Sequence, residues 1–355
     1  MIKKNKIALV TGGAGFIGSH MVDLLLSKGY FVRVIDNLSG GHKKNINHCF
    51  KNKRFKFKKI DICKLSPNDK FFSKVKYVFH FAGIGDVVPS IVKPTKYMMT
   101  NVQGTVNVLE ASRKNKVKKL VYAASASCYG KTTGNTSEKN SISLEHPYAL
   151  SKYLGECSVL NWNKVYKLPV NCIRIFNAYG PRVRTTGAYG AVIGVFFKQK
   201  IDNKPLTIVG NGKQSRDFVH VTDVAKAFLA AAESKSNGEV FNVGTGNPES
   251  FENVAREIAK KYDATINYIP IPDNIKPQYQ KYTCANLDKL NTVIEMDWKG
   301  IKEYINTLGY WDIIHIVHIV SSGPLLILLG LSKIGKFDYI DKERFRSLSS
   351  KLGLI

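Results

Sequence analysis

Residues 7–18 read IALVTGGAGFIG: four apolar residues, Ile7 to Val10, run directly into Thr11-Gly12-Gly13-Ala14-Gly15-Phe16-Ile17-Gly18. From Ser19 the apolar positions Met21, Leu24, Leu25 and Leu26 follow a helical pattern that stops at Gly29. Strand, glycine turn and helix in that order let the backbone approach a pyrophosphate at a helix N-terminus. Glycines 13, 15 and 18 satisfy one form of the dinucleotide fingerprint, and glycines 12, 15 and 18 the spacing Gly-x-x-Gly-x-x-Gly. A second strand, Tyr30 to Ile35, ends in Asp36, 18 residues beyond Gly18. A carboxylate there can accept hydrogen bonds from both ribose hydroxyls and repel a 2′-phosphate, so the expected cofactor is NAD rather than NADP.

Further strands are expected from Arg54 to Ile60, closing on Asp61-Ile62, from Val75 to Phe81, closing on Ala82-Gly83, and from Lys119 to Ala124. The segment Tyr97 to Lys114 reads as a long helix carrying Asn101. Strands alternating with helices predict an α/β fold, a doubly wound parallel sheet of the Rossmann type, whose ligands collect at the carboxyl ends of the strands.

The fifth strand runs into Ser125-Ala126-Ser127-Cys128, and Pro147 opens a helix expected to reach about Tyr166. Proline suits the first turn of a helix, where the missing N–H has no partner to lose. Tyr148 and Lys152, four apart on that helix, share a face. With Ser125 they form a candidate proton relay: Lys152 is expected to lower the pKa of the Tyr148 phenol, and Ser125 to hydrogen-bond the reacting oxygen.

The 355 residues allow one large α/β unit and a smaller one, and six scattered cysteines with no Cys-x-x-Cys pair argue against a disulfide framework or zinc site. A cytoplasmic protein is expected. The start MIKKNKIALV reads as a first strand and not as a signal peptide, because the apolar run breaks at Thr11-Gly12-Gly13. The net charge of +26 comes from lysines interleaved with apolar residues, not gathered in an aromatic-studded stripe, so no nucleic acid partner is expected.

The set TGGAGFIG, Asp36, Ser125 and Tyr148-x-x-x-Lys152 resembles the extended short-chain dehydrogenase/reductase family of nucleotide-sugar epimerases and dehydratases. The resemblance continues through Ile173 to Arg182, Ser215 to Val221 and Phe241 to Gly244, and covers roughly residues 5 to 310. It implies NAD held by Gly12, Gly15, Phe16, Ile17, Gly18, Asp36, Asn37, Asp61, Ile62, Ala82, Asn101, Tyr148, Lys152 and Phe176. It implies catalysis by Ser125, Tyr148 and Lys152, and a nucleotide-sugar substrate met by Ser127, Asn177, Arg216 and Lys276. A homodimer pairing the helices near residues 100 and 150 is likewise implied.

In the family, dehydratases carry Asp-Glu just after the strand-end hydroxyl and decarboxylases a glutamate; Ala126-Ser127-Cys128 offers no carboxylate. The resemblance therefore implies 4-epimerisation of a UDP-glucose or UDP-N-acetylglucosamine type substrate. Decarboxylation, 4,6-dehydration and a catalytically idle dinucleotide-binding scaffold remain as alternatives. Lys276-Pro277-Gln278-Tyr279 stands where many epimerases have Arg-Pro-Gly-Asp, exchanging a bidentate fork for a point charge. Thr283 falls where a family residue gates the sugar's 2-substituent, and its small side chain leaves room for an N-acetyl group.

The expected organisation is a cofactor domain over residues 1–177, with a return near 241–246, a substrate domain over 178–310, and a divergent tail over 311–355. Residues 313–332 carry no Asp, Glu, Lys or Arg and have the length of a span, but Ser321-Ser322-Gly323-Pro324 interrupts them. Protein packing and membrane contact both fit this stretch. His315 and His318 have no third ligand in view, so no metal is expected.

Overall fold

The computed structural model describes residues 6–183, 192–273, 276, 279–310 and 312–313. Seven strands build one parallel sheet: β1 (Ile7–Thr11), β2 (Phe31–Asp36), β3 (Phe55–Lys59), β4 (Tyr77–His80), β5 (Lys119–Ser125), β6 (Val170–Ile175) and β7 (Glu239–Val243). Their order across the sheet is β7-β6-β5-β4-β1-β2-β3. The winding reverses between β1 and β4, where the crevice of such a sheet must open.

Period-2 alternation divides the strand side chains between two cores. Ala8, Val10, Tyr77, Phe79, Val121 and Ala123 face one side, where they meet Met21, Val22 and Leu25 of the helix Phe16–Ser27 and Phe228 of the helix Val221–Glu233. Leu9, Val78, Leu120, Tyr122 and Ala124 face the other, against Val108 and Leu109 of the helix Gly104–Lys114 and Val159 of the helix Pro147–Tyr166. A sheet covered on both faces needs apolar residues on both, which is why its strands read as continuous apolar runs.

The expected long helix from Tyr97 is helical throughout, but not uniform. An α-helical turn at Pro94–Met98 passes into a π turn at Met99–Gln103 and then into the helix Gly104–Lys114. Asn101 lies within the π turn.

A third core gathers Tyr179, Phe196, Phe197, Leu206, Ile208, Phe218, Val254, Ile258 and Ile305. Short parallel pairings frame it, Leu206–Val209 with Ile266–Ile269 and Asn177–Tyr179 with Phe218–His220. Asp217 ties the loops together: its carboxylate accepts from Thr245 N–H at 2.6 Å, Thr245 Oγ1 at 2.7 Å, Gly246 N–H at 3.0 Å and Ala285 N–H at 2.9 Å. Three chain segments far apart in sequence meet on one buried side chain.

Among the described residues no helix is long and apolar enough to cross a membrane. The stretch 313–332 lies outside the described residues except for Ile313, which is buried. His315 and His318 lie outside them as well.

Candidate active site

A cleft of about 930 Å³ runs across the carboxyl ends of the strands, from Asp36 and Asp61 to Ser125 and on to Asn177 and Arg216. At its floor the glycine turn is packed against its neighbours. Gly12 has φ +69°, and a Cβ there would stand 2.6 Å from Ala82 N; a Cβ at Gly18 would collide with the Gly12 carbonyl. Glycine is required at 12 by conformation and at both positions by space.

Asp36 is 6% exposed, with Oδ2 accepting from Ala14 N–H at 2.9 Å and Oδ1 from Leu38 N–H at 2.7 Å. Burial pushes its carboxyl up, and these backbone bonds partly offset that. Burial also pushes Asp61 up, but bonds from Cys63 N–H and Asn37 Nδ2 more than reverse it, leaving the carboxyl below its usual range. The cradle of glycine, the strand-end acid and the apolar Ile62 have the chemistry to hold a dinucleotide, the glycine turn for a diphosphate and Asp36 for ribose hydroxyls.

The expected catalytic residues Ser125, Tyr148 and Lys152 line the cleft as well. Tyr148 Oη donates to Ser125 Oγ at 3.2 Å, and the Ser125 and Ser127 hydroxyls lie 2.9 Å apart. Lys152 is 8% exposed, with Nζ 4.4 Å from the centre of the Tyr122 ring. Burial lowers the Lys152 ammonium to about 7, against opposing contributions from Cys172 and Glu156. Cys172 is itself pushed well above its ordinary range by burial and is a neutral thiol, so Glu156 is the charge that opposes the loss.

One electrostatic expectation needs correction. Tyr148 is raised, not lowered: burial favours the neutral phenol, the Ser125 hydrogen bond only partly opposes it, and Asp86 adds to it. A lysine poised near neutrality contributes only part of a charge.

The helix that carries the pair is fixed at its start. Ser90 Oγ accepts from Tyr148 N–H at 3.1 Å, and the imidazole of His146 caps the helix, accepting from Ala149 N–H at 3.1 Å. The His146 ring stacks on Tyr148 with centroids 5.8 Å apart and planes within 4°. Burial lowers its pKa, consistent with a neutral ring that accepts at Nδ1. Deeper in the helix, Glu156 receives both arms of Arg174 from β6, at 3.0 and 2.6 Å, and Arg174 also donates to Tyr129 Oη at 2.8 Å.

Most of the expected site residues share the cleft wall. Asn101 and Lys276 do not. The Asn101 amide is committed to the loop: Oδ1 accepts from Ile84 N–H at 2.8 Å, and Nδ2 donates to Ile84 O at 3.0 Å and to Ser151 Oγ at 2.9 Å. It shapes the wall from behind. Lys276 is exposed and not among the residues lining the cleft, whereas Gln280, four residues on, lines the wall.

Arg216 is 6% exposed at the cleft, held by Ser215 O at 3.0 Å, Gln280 O at 2.6 Å and the face of Phe251. Thr283 Oγ1 donates to Asn177 Oδ1 at 3.4 Å, so two expected substrate-side residues touch. The sequence reading missed Ser39, Gly41, Lys93, Lys96 and His146, and it missed the carboxylates Asp86 and Glu145, all on the wall. Only His146 left a usable signal, as the residue before a helix-opening proline.

A doubly wound sheet with a glycine cradle, a strand-end acid, and Ser125, Tyr148 and Lys152 on one cleft wall defines a dinucleotide-dependent enzyme of the short-chain dehydrogenase/reductase type. The model of the NAD dependent epimerase/dehydratase family matches residues 8–244, and the chain belongs to that family. It is 36% identical to the UDP-glucose 4-epimerase of Mycolicibacterium smegmatis, over 82% of this chain and 92% of the relative. It is 34% identical to the UDP-N-acetyl-alpha-D-glucosaminuronate decarboxylase of Bacillus cytotoxicus, over 75% of this chain and 84% of the relative. Among solved structures, the UDP-N-acetylglucosamine 4-epimerase of Methanobrevibacter ruminantium in complex with UDP-N-acetylmuramic acid superposes with a TM-score of 0.82 at 29% identity, covering 89% of this chain and 99% of that one.

Proposed function

We propose that this chain is an NAD-dependent 4-epimerase of a UDP-hexose, acting through a transient 4-keto sugar. The observation that carries the choice of reaction is Ser127. Where a decarboxylase or dehydratase of the family places a carboxylate, this chain has a hydroxyl bonded to Ser125 Oγ at 2.9 Å. Asp86 and Glu145 do reach the cleft, but from separate loops, and Glu145 Oε1 already accepts from Ser143 Oγ at 2.8 Å. Oxidation at carbon 4 needs only a base and a hydride acceptor.

Tyr148 is the base: its proton leaves toward solvent, the ammonium of Lys152 stabilises the phenolate, and the phenolate then takes the proton of the carbon-4 hydroxyl while Ser125 holds that oxygen. Bound NAD would supply the acceptor and later donor of the carbon-4 hydride, and the 4-keto sugar must turn over between the two transfers for its other face to receive it. Arg216 grips the substrate diphosphate, a task suited to a guanidinium fork already fixed by two carbonyls. The small Thr283 beside Asn177 leaves room for a 2-N-acetyl group.

We also assign cofactor binding to residues 1–177 with the return at 241–246, and substrate binding to 178–310. A homodimer is supported by exposed apolar side chains on the two expected helices: Met99 is 51% exposed, Leu154 38% and Val165 55%. Sedimentation at micromolar concentration tests it, a monomer counting against it.

The test of activity is incubation of purified protein with UDP-glucose, UDP-N-acetylglucosamine and their uronates, followed by NMR at carbon 4. Inverted product is expected, including from the N-acetyl sugar; release of carbon dioxide or water without inversion rejects the assignment. Decarboxylation is the second reading, favoured by the 34% identity to the Bacillus cytotoxicus enzyme.

A further inference from the structure

Away from the cleft, three metal-ligating side chains of different chemistry converge. Asp23 projects from the helix Phe16–Ser27, and His48 and Cys49 are adjacent on the 3₁₀ helix Lys43–Lys51 packed beside it. The ligand atoms all lie within 4.8 Å of one another. His48 Nε2 is 2.7 Å from Asp23 Oδ1, Cys49 Sγ is 3.3 Å from His48 Nε2, and Cys49 Sγ is 3.8 Å from Asp23 Oδ1.

We propose that Asp23, His48 and Cys49 form a surface site for a single thiophilic divalent cation of the zinc class. The geometry asks for little movement. Tetrahedral zinc with ordinary bond lengths separates sulfur from nitrogen or oxygen by about 3.6 Å, and nitrogen from oxygen by about 3.3 Å. The two sulfur separations already lie near that value. The His48–Asp23 separation must open by about 0.6 Å, and the His48 side chain is 54% exposed and able to move.

The carboxylate is divided in a way that suits coordination. Asp23 Oδ2 is taken by Arg182 Nη1 at 2.7 Å, which leaves Oδ1 directed at the imidazole and the thiol. An outer partner on the second oxygen orients a ligating carboxylate. Three protein ligands leave a fourth position for water, and the exposed side of His48 is where it would enter.

Charge and proton balance are simple. Burial, with the nearby Asp23 charge, pushes the Cys49 thiol up to about 12, so in the metal-free protein it is a neutral S–H facing Asp23 Oδ1. On binding, the metal–sulfur bond forms, the thiol proton goes to solvent and the imidazole coordinates in its neutral form. A cation with low affinity for thiolate, such as magnesium, lacks that compensation and is not expected to bind.

The site also reaches the cleft indirectly. Arg182 has φ +66°, its neighbour Val183 lines the cleft, and His20, one turn before Asp23, holds Pro181 O at 2.8 Å. Helix and loop are therefore already clasped where the cation would sit.

The probe is cobalt(II) added to the NAD-loaded full chain, read by the near-ultraviolet thiolate-to-cobalt charge-transfer band and reversed by excess zinc. The expected result is saturation at one ion per chain, loss of the band in Cys49→Ser, and at least tenfold weaker binding in both His48→Ala and Asp23→Asn. Circular dichroism of His48→Ala, an exposed position, separates lost binding from lost fold. A band that persists in Cys49→Ser, or affinity unchanged in folded His48→Ala, overturns the proposal. So does magnesium displacing cobalt as well as zinc does.

Discussion

Replacing Glu156 by glutamine probes stability and catalysis through one atom exchange. Glu156 and Arg174 have side chains 2% and 6% exposed, and both carboxylate oxygens accept from the guanidinium, at 3.0 and 2.6 Å. Removing the charge leaves a buried guanidinium whose compensation is reduced to one neutral carbonyl and Tyr129 Oη. Breaking a buried pair on one side costs roughly 3–5 kcal/mol, and glutamine keeps one acceptor, so about 3 kcal/mol is expected. With an m-value of about 3 kcal/mol/M, the urea midpoint falls by about 1 M.

The same substitution acts on Lys152, one turn earlier on the helix. Glu156 opposes the burial that lowers Lys152 to about 7, so without it the ammonium loses its proton at still lower pH. Turnover at neutral pH falls, and the limb of the pH–rate profile that reports this ammonium moves to the acid side. The double variant Glu156→Gln/Arg174→Met recovers most of the stability, because no charge is left buried, but it keeps the shifted limb. Urea unfolding and initial rates from pH 5 to 9 provide the two readouts. A single variant that loses less than about 1 kcal/mol, or a double variant as unstable as the single, refutes the reasoning.

Tyr148→Phe keeps the ring but removes the base; turnover is expected to fall by about 10²–10⁴-fold with an unchanged melting curve, and retention of a tenth of the activity would remove Tyr148 from the role. Lys152→Met abolishes turnover yet stabilises the protein at pH 6. The depressed folded pKa means that the unfolded chain binds the extra proton between about 7 and the ordinary 10.5, so the lysine's penalty is full below about 7 and gone near 10.5. Thermal midpoints at pH 6 and 9.5 check this, since the gain over wild type must shrink at the higher pH. Gly18→Ala drives a methyl into the Gly12 carbonyl; NAD affinity measured by fluorescence titration should drop more than tenfold, and unchanged binding would mean that the turn relaxes freely.

The end of the cleft that holds the glycine turn and Asp36 was legible because it is built from local patterns. Glycines at 12, 15 and 18, an acid at a strand end, and Tyr148 with Lys152 one helical turn apart are each short-range statements about backbone geometry. The substrate side was less legible, since Gln280 reaches the wall from a segment that is tied in where Asp217 gathers Thr245, Gly246 and Ala285 around it. No spacing rule encodes that meeting. Asn101 shows another limit: the sequence expected it at the cofactor, but its amide is spent on pinning Ile84, in a loop 17 residues away. The raised Tyr148 and the near-neutral Lys152 were beyond the sequence because desolvation is a property of the packed interior, and it is the largest cause of both shifts.

The π turn at Met99–Gln103 sets the phase of what precedes it. One residue in an α-helix corresponds to about 100° of rotation, so the wide turn is a one-residue offset between two helical faces. On its far side Val108 and Leu109 face the core, while on its near side Tyr97 faces the cleft. Deleting one residue there would leave the hydrophobic seam intact and swing the cleft-facing side chains about a quarter turn away. Relatives that differ by a single residue in this segment would present different walls to their substrates from nearly the same sequence.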